Sequence, residues 1–182
     1  MSNKKIGVFV GSLRKDSFSK SIADFVASQV PNGYEFKFIG IGDLPIYNQD
    51  YDGNEPASYL SFREEVKALD AFLFVTPEHN RSFPAVLKNA LDVGSRPYGA
   101  SVWGGKPGAI ISVSPGGIAG FGANHHLRQV LAFLNIYTLQ QPEAYIGSVM
   151  NLLDENGKLV NEGTQGFLKD FLNAFTAWIE KF

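Results

Sequence analysis

Ser12, Arg14, Ser17 and Ser19 crowd one short segment, Gly11-Ser-Leu-Arg-Lys-Asp-Ser-Phe-Ser19, directly after the apolar run 6–10. Residues of these types suit a phosphate. A guanidinium meets phosphate oxygens with a planar fork of donors, and hydroxyls donate to the oxygens left over. A helix starting here would add free backbone N–H groups and the positive end of its dipole. Phe18 lies in the same segment, and Gly11 lets the chain leave the apolar run sharply. The same residues also have a plainer use, with Ser17 as a helix cap and Arg14 as a solvated surface charge. Two further segments are placed alike. Pro77-Glu-His-Asn-Arg-Ser-Phe-Pro84 follows the run 71–75, and Ser114-Pro-Gly-Gly-Ile-Ala-Gly120 follows the run 109–113. Gly116 and Gly117 lack the Cβ that would keep backbone away from a planar ligand, although Ser-Pro-Gly-Gly also makes an ordinary turn.

The elements that must position these segments alternate between short apolar runs and helical periodicity, which is the signature of βαβ units around a parallel sheet. Strands are expected at 5–10, 34–39, 70–76, 107–113 and from 136–139 toward Tyr145, with a break at Pro142. The near-uniform apolarity of the first fits a strand buried on both faces. Helices are expected at 17–30, 55–69, from Pro84 onward, at 121–134 and at 164–181. The first places Ile22, Phe25, Val26 and Val30 on one face, and the second turns Leu60, Val66 and Leu69 inward. Five strands and five helices in alternation predict an α/β, three-layer, flavodoxin-like sandwich with a parallel sheet in the order 2-1-3-4-5. In such a sheet ligands bind outside the carboxyl ends of the strands, where the order reverses. The three segments would then converge on one crevice.

At 182 residues, with 45% apolar and 19% charged residues, the chain suits one domain, 1–182, with a sizeable core. A net charge of -2 gives no electrostatic reason to expect nucleic acid. No apolar run approaches the roughly 20 residues that span a bilayer, and Met-Ser-Asn-Lys-Lys leads straight into a strand. A cytoplasmic protein is the expectation. The absence of cysteine excludes disulfides, thiolate nucleophiles and Cys-ligated zinc or iron–sulfur centres. Redox chemistry here would need an organic cofactor.

Other phosphate motifs fit poorly. There is no G-x-x-x-x-G-K-[ST], and no G-x-G-x-x-G after the first strand. A monophosphate suits the first segment better than a pyrophosphate, and flavin mononucleotide (FMN) is the leading candidate.

The chain resembles the NADPH-dependent FMN reductase family, which includes bacterial quinone and chromate reductases. The resemblance rests on the first segment, on Pro77-Glu-His-Asn80 with Ser82, Pro84 and Leu87-Lys-Asn-Ala-Leu-Asp92, and on Ser95-Arg-Pro97, Gly105-Lys-Pro107 and 126–134. It implies one non-covalent FMN per subunit, NAD(P)H as co-substrate, and homodimers or homotetramers. It also implies ping-pong hydride transfer through the flavin to quinones, chromate or other soluble acceptors; a flavodoxin-type electron carrier is the alternative. By motif position Arg14, Ser17 and Ser19 would hold the phosphate, with Ser12 and Phe18 beside them. Pro77, Glu78, His79 and Asn80 would flank the isoalloxazine ring, and Ser114, Gly116 and Gly117 would approach its other edge. Two residues depart from the family pattern. His79 stands where tyrosine is usual, and Arg81 where a small or aromatic residue is usual. A cation at position 81 would favour the anionic reduced ring, attract an anionic acceptor, or pair with a carboxylate across a subunit interface.

The remaining polar residues have structural expectations. Glu78 accepts backbone hydrogen bonds or pairs with a neighbour. His125 and His126, being adjacent on a helix, point apart and are not expected to hold a metal. Arg128 is an interface or surface ion-pair partner. Tyr98 and Trp103, on a Gly-rich loop, are expected to be exposed and to cover an interface or the pocket mouth. The aromatic stripe of the last helix is core.

Overall fold

The computed structural model describes residues 3–182. Its strands are β1 (Lys4–Val10), β2 (Tyr34–Phe38), β3 (Ala71–Pro77), β4 (Pro107–Val113), β5 (Tyr137–Thr138) and β6 (Ala144–Ile146). Its helices are α1 (Phe18–Ser28), α2 (Ala57–Lys67), α3 (Ala85–Gly94), α4 (Phe121–Phe133) and α5 (Glu162–Ile179). The sheet runs β2-β1-β3-β4-β5, with β6 also on β4, and every pairing is parallel. The expected order 2-1-3-4-5 is thus the observed one.

The fifth strand is two pieces. β5 pairs with Pro107 and Gly108, and β6 with Ile111 to Val113, so both lie along one edge of β4 in succession. Pro142 sits between them without an N–H to give the ladder.

Alternation along the central strands sorts side chains by shape. Ile6, Val8, Ala71, Leu73, Val75, Ala109, Ile111 and Val113 face α1 and α5. Phe9, Phe72, Phe74 and Ile110 face α2, α3 and α4. The aromatic face receives Trp103, whose ring centroid lies 5.1 Å from Phe72 and 5.4 Å from Phe9. Trp103 is fully buried, not exposed as its Gly-rich loop suggests, and its Nε1 donates to Leu91 O at 2.9 Å. Tyr98, by contrast, is 92% exposed.

Helix phases also shift. α2 starts at Ala57 after Pro56, which turns Tyr59, Phe62 and Val66 inward and leaves Leu60 50% exposed. Leu69 is buried, but beyond the helix end. α1 ends at Ser28, so Val30 lies outside it and is exposed. In α5, Leu168, Phe171, Leu172, Phe175 and Ile179 form the buried stripe, while Phe182 lies past its end. Among the described residues no helix is long and apolar enough to cross a membrane.

Candidate functional site

The three segments after β1, β3 and β4 adjoin one another at the carboxyl rim. Gly11 N–H donates to Val75 O at 2.9 Å, and a Cβ on Gly11 would stand 3.1 Å from Thr76 Oγ1 and 3.3 Å from Pro77 Cδ. The first loop therefore lies against the second at their roots. The second meets the first turn of α4, into which the third leads, through Glu78, whose Oε2 accepts the N–H of Ala123 at 3.1 Å. A Cβ on Gly122 would approach Glu78 Oε2 to 3.0 Å and Arg81 O to 3.2 Å, so only glycine lets loop and helix close up here.

In the first loop Ser17 caps α1, its hydroxyl accepting the Lys20 N–H at 3.2 Å. That leaves the amides of Phe18 and Ser19 ahead of Ser21, whose N–H reaches back to Ser17 O. Such amides are the unpaired donors of a helix start. Arg14 is exposed, 5.5 Å from the Phe18 ring, and its N–H lies 3.4 Å from Ser12 Oγ. Ser19 is buried, and its hydroxyl has no partner. Leaving such a group unmade costs about 1–3 kcal/mol.

The second loop closes as a tight turn in which His79 and Ser82 exchange backbone hydrogen bonds of 2.8 and 2.9 Å. Its central residues, Asn80 and Arg81, have φ of 51° and 67°. Pro77 ends β3 and is half-buried, whereas His79 and Asn80 are exposed. Arg81 Nη1 donates to Glu78 Oε1 at 2.9 Å, so the carboxylate it meets belongs to its own loop. Glu78 thus has the structural engagement expected of it. Ser82 Oγ meets His126 Nδ1 at 2.8 Å, while His125 Nε2 meets Tyr145 Oη at 2.9 Å. The two histidines do point apart. Burial, with help from the Glu143 carboxylate, pushes the Tyr145 hydroxyl up to about 12.

The third loop is held from below. Ser114 N–H donates to Ile146 O at 2.9 Å, Ser114 Oγ accepts the Gly116 N–H at 3.1 Å, and Ser112 Oγ donates to Ala119 O at 2.8 Å. Gly116 and Gly117 are exposed at its crest. The twelve expected site residues thus lie on the segments that follow β1, β3 and β4, with Phe18 and Ser19 opening α1 and Pro77 closing β3.

One contact that holds a neighbouring loop is not legible in the sequence. Asn89 on α3 gives both ends of its amide to one loop, donating to Leu44 O and Pro45 O at 3.1 and 2.9 Å and accepting the Tyr47 N–H at 2.8 Å. A mid-helix asparagine, a poor helix former, was the available signal. Arg128 is the ion-pair partner expected, meeting Glu143 Oε1 at 3.8 Å, and it is also tucked in, donating to Asn124 Oδ1 at 2.9 Å and Leu139 O at 3.0 Å. A concavity of about 980 Å³ lies elsewhere, lined by residues of the C-terminal halves of α3 and α4 with Tyr98 and Phe133.

Against this geometry, the family model for NADPH-dependent FMN reductase matches residues 4–151. The chain belongs to this family. The reductase is 52% identical over 176 residues to a quinone reductase of Pseudomonas putida, covering 96% of this chain and 94% of that one. It is 50% identical over 175 residues to a 2-hydroxy-1,4-benzoquinone reductase of a Burkholderia species, covering 96% of each. Among solved structures, the flavoenzyme NAD(P)H:(acceptor) oxidoreductase FerB from Paracoccus denitrificans superposes with a TM-score of 0.91 at 40% identity, covering 98% of each chain. A flavodoxin mutant from Pseudomonas aeruginosa, at 18% identity and a TM-score of 0.59, shares the fold alone.

The residues of this reductase fit FMN, its family's cofactor. The buried, unpartnered hydroxyl of Ser19 and the free amides of Phe18 and Ser19 are donors that a phosphate would satisfy.

Proposed function

We propose that this reductase is a cytoplasmic NAD(P)H:quinone oxidoreductase carrying one non-covalent FMN per subunit. Bound FMN supplies a centre that takes a hydride and passes on one electron or two. Ser12, Arg14, Ser17, Phe18 and Ser19 hold the phosphate through hydroxyls, amides and a guanidinium. Pro77, Glu78, His79 and Asn80 lie along one side of the ring, and Ser114, Gly116 and Gly117 bring backbone close to its other edge. Glu78, engaged by Ala123 and Arg81, sets the spacing between the second loop and the start of α4. With one open ring face, nicotinamide and acceptor occupy the same place in turn. Chromate is a further acceptor under this reading.

The observation that carries the proposal is the partnerless buried hydroxyl of Ser19 in the first turn of α1, on a segment whose root at Gly11 lies against Thr76 and Pro77 of the second. Anaerobic addition of NADPH to the FMN-loaded protein, followed by 1,4-benzoquinone, tests it. Rapid bleaching of the yellow colour, its return with quinone, and parallel initial-rate lines are expected. Sluggish bleaching would mark an electron carrier, and intersecting lines would overturn the shared ring face.

Self-association is part of the reading. Tyr98 and Phe133, 92% and 89% exposed, flank the groove between α3 and α4. Two rings beside an apolar furrow suit a second copy related by a twofold axis. Sedimentation velocity should give a homodimer or homotetramer, and Phe133→Asp should shift it toward monomer.

A further inference from the structure

Arg81 is the member of the second loop that neither the fold nor hydride transfer demands. It occupies the third position of the His79–Ser82 turn at a φ of 67°, directly after Asn80 at 51°. Two left-handed residues in succession suit Asn-Gly; an arginine there costs roughly 1–2 kcal/mol because its Cβ crowds the following carbonyl. A non-glycine residue held in that conformation beside a ligand site points to a use for its side chain.

The side chain is not packed away. It is 69% exposed, and a single N–H···O contact ties Nη1 to Glu78 Oε1 at 2.9 Å. The other oxygen of Glu78 takes the Ala123 N–H at 3.1 Å. The guanidinium is thereby fixed over the seam between the second loop and the first turn of α4. Its remaining N–H groups have no protein partner among the described residues. An exposed guanidinium with free N–H groups, held on the second loop by one carboxylate, suits a small ligand that carries negative charge.

We propose that Arg81 selects acceptors that are anions at neutral pH, namely quinones carrying an ionised ring hydroxyl. This rests on the quinone reductase reading above and narrows its substrate class. A hydroxyl on a quinone ring is a vinylogous carboxylic acid and so ionises readily, and the oxygen it leaves stands beside the neighbouring ring carbonyl, where a guanidinium fork can meet the pair. Reduction remains a two-electron event: the hydride passes from cofactor to quinone, and the accompanying proton comes from solvent. Arg81 only binds and orients, since it does not exchange protons at ordinary pH.

The test compares 2-hydroxy-1,4-benzoquinone with 1,4-benzoquinone in the FMN-loaded wild type, Arg81→Gln, Arg81→Lys and Glu78→Gln, at low and high salt. Arg81→Gln should lower the ratio of kcat/KM, hydroxyquinone over benzoquinone, about tenfold, mostly through KM. Arg81→Lys should restore part of it. Glu78→Gln keeps an acceptor for Ala123 but removes the competing charge, so it should raise the ratio. Added salt should depress the ratio in the wild type more than in Arg81→Gln. A ratio that Arg81→Gln leaves unchanged would overturn the proposal, as would equal losses on both acceptors, which a shifted flavin potential or a damaged loop would cause. Failure of the underlying reading has its own signature: a wild type that does not oxidise NADPH with 1,4-benzoquinone.

Discussion

Glu78 Oε2 accepts the backbone N–H of Ala123 at 3.1 Å, while Gly120, the cap residue of α4, offers no side chain of its own. A carboxylate from another loop therefore caps this helix, meeting both its free amides and its dipole. The consequence is mechanical: the second loop cannot move without loosening the start of α4, to which the third loop leads. Glu78→Ala should destabilise the protein by about 1–2 kcal/mol, in the range of a lost helix cap, and weaken FMN binding. Glu78→Gln, which still presents an oxygen, should lose less. Urea denaturation of the FMN-free protein and fluorescence titration with FMN measure the two effects.

Ser19 offers an opposite-sign experiment. Its hydroxyl is buried without a partner, so Ser19→Ala should leave the FMN-free protein unchanged or up to about 1 kcal/mol more stable. FMN affinity should fall by about tenfold, as expected for a lost hydrogen bond to a charged group. Riboflavin, which lacks the phosphate, should bind both forms alike. Equal losses for FMN and riboflavin would remove Ser19 from the phosphate site.

Asn89 holds the Leu44–Tyr47 stretch with three hydrogen bonds, and Tyr59 Oη adds a fourth to Pro45 O at 3.0 Å. Asn89→Ala should cost about 2 kcal/mol by orphaning those groups. The loss should be local first. Hydrogen exchange at the Tyr47 amide should accelerate well before exchange in β1 or β3 does.

Gly94 ends α3 beneath the Trp103 indole. A Cβ there would fall 2.5 Å from Nε1 and 2.6 Å from Cε2. Alanine usually stabilises a helix relative to glycine, yet Gly94→Ala should destabilise this protein by about 1–3 kcal/mol, because a packed core resists added volume. Trp103 fluorescence should shift toward the red as the ring is displaced.

Alkaline pH should weaken the fold through two tyrosines. Burial and the Glu180 carboxylate hold Tyr34 up to about 12, and burial with Glu143 does the same for Tyr145, against an ordinary value of 10.0. Above the ordinary value the unfolded chain sheds these protons while the native one keeps them, so stability falls as pH rises toward the folded value. The urea midpoint should drop between about pH 10 and about pH 12. Tyr34→Phe and Tyr145→Phe should each flatten the drop.

Much of this architecture is written locally. β1, β3 and β4 are buried on both faces, so apolarity alone marks them, and the polar stretches behind them had to be the carboxyl-end loops. Ser17 as a cap and the sheet order follow from the same alternation of strand and helix. Local pattern could not show that Trp103, on a glycine-rich loop, fills the space between Phe9 and Phe72. Nor could it phase α2, where Tyr59 rather than Leu60 turns inward, although Pro142 did mark the break in the last strand. The link from Glu78 to Ala123 spans 45 positions, and that from Asn89 to Leu44 the same number. Periodicity reports which face of an element is dry. Which distant group a buried polar atom meets is decided only when the elements pack, because desolvation forces each one to find a partner in three dimensions.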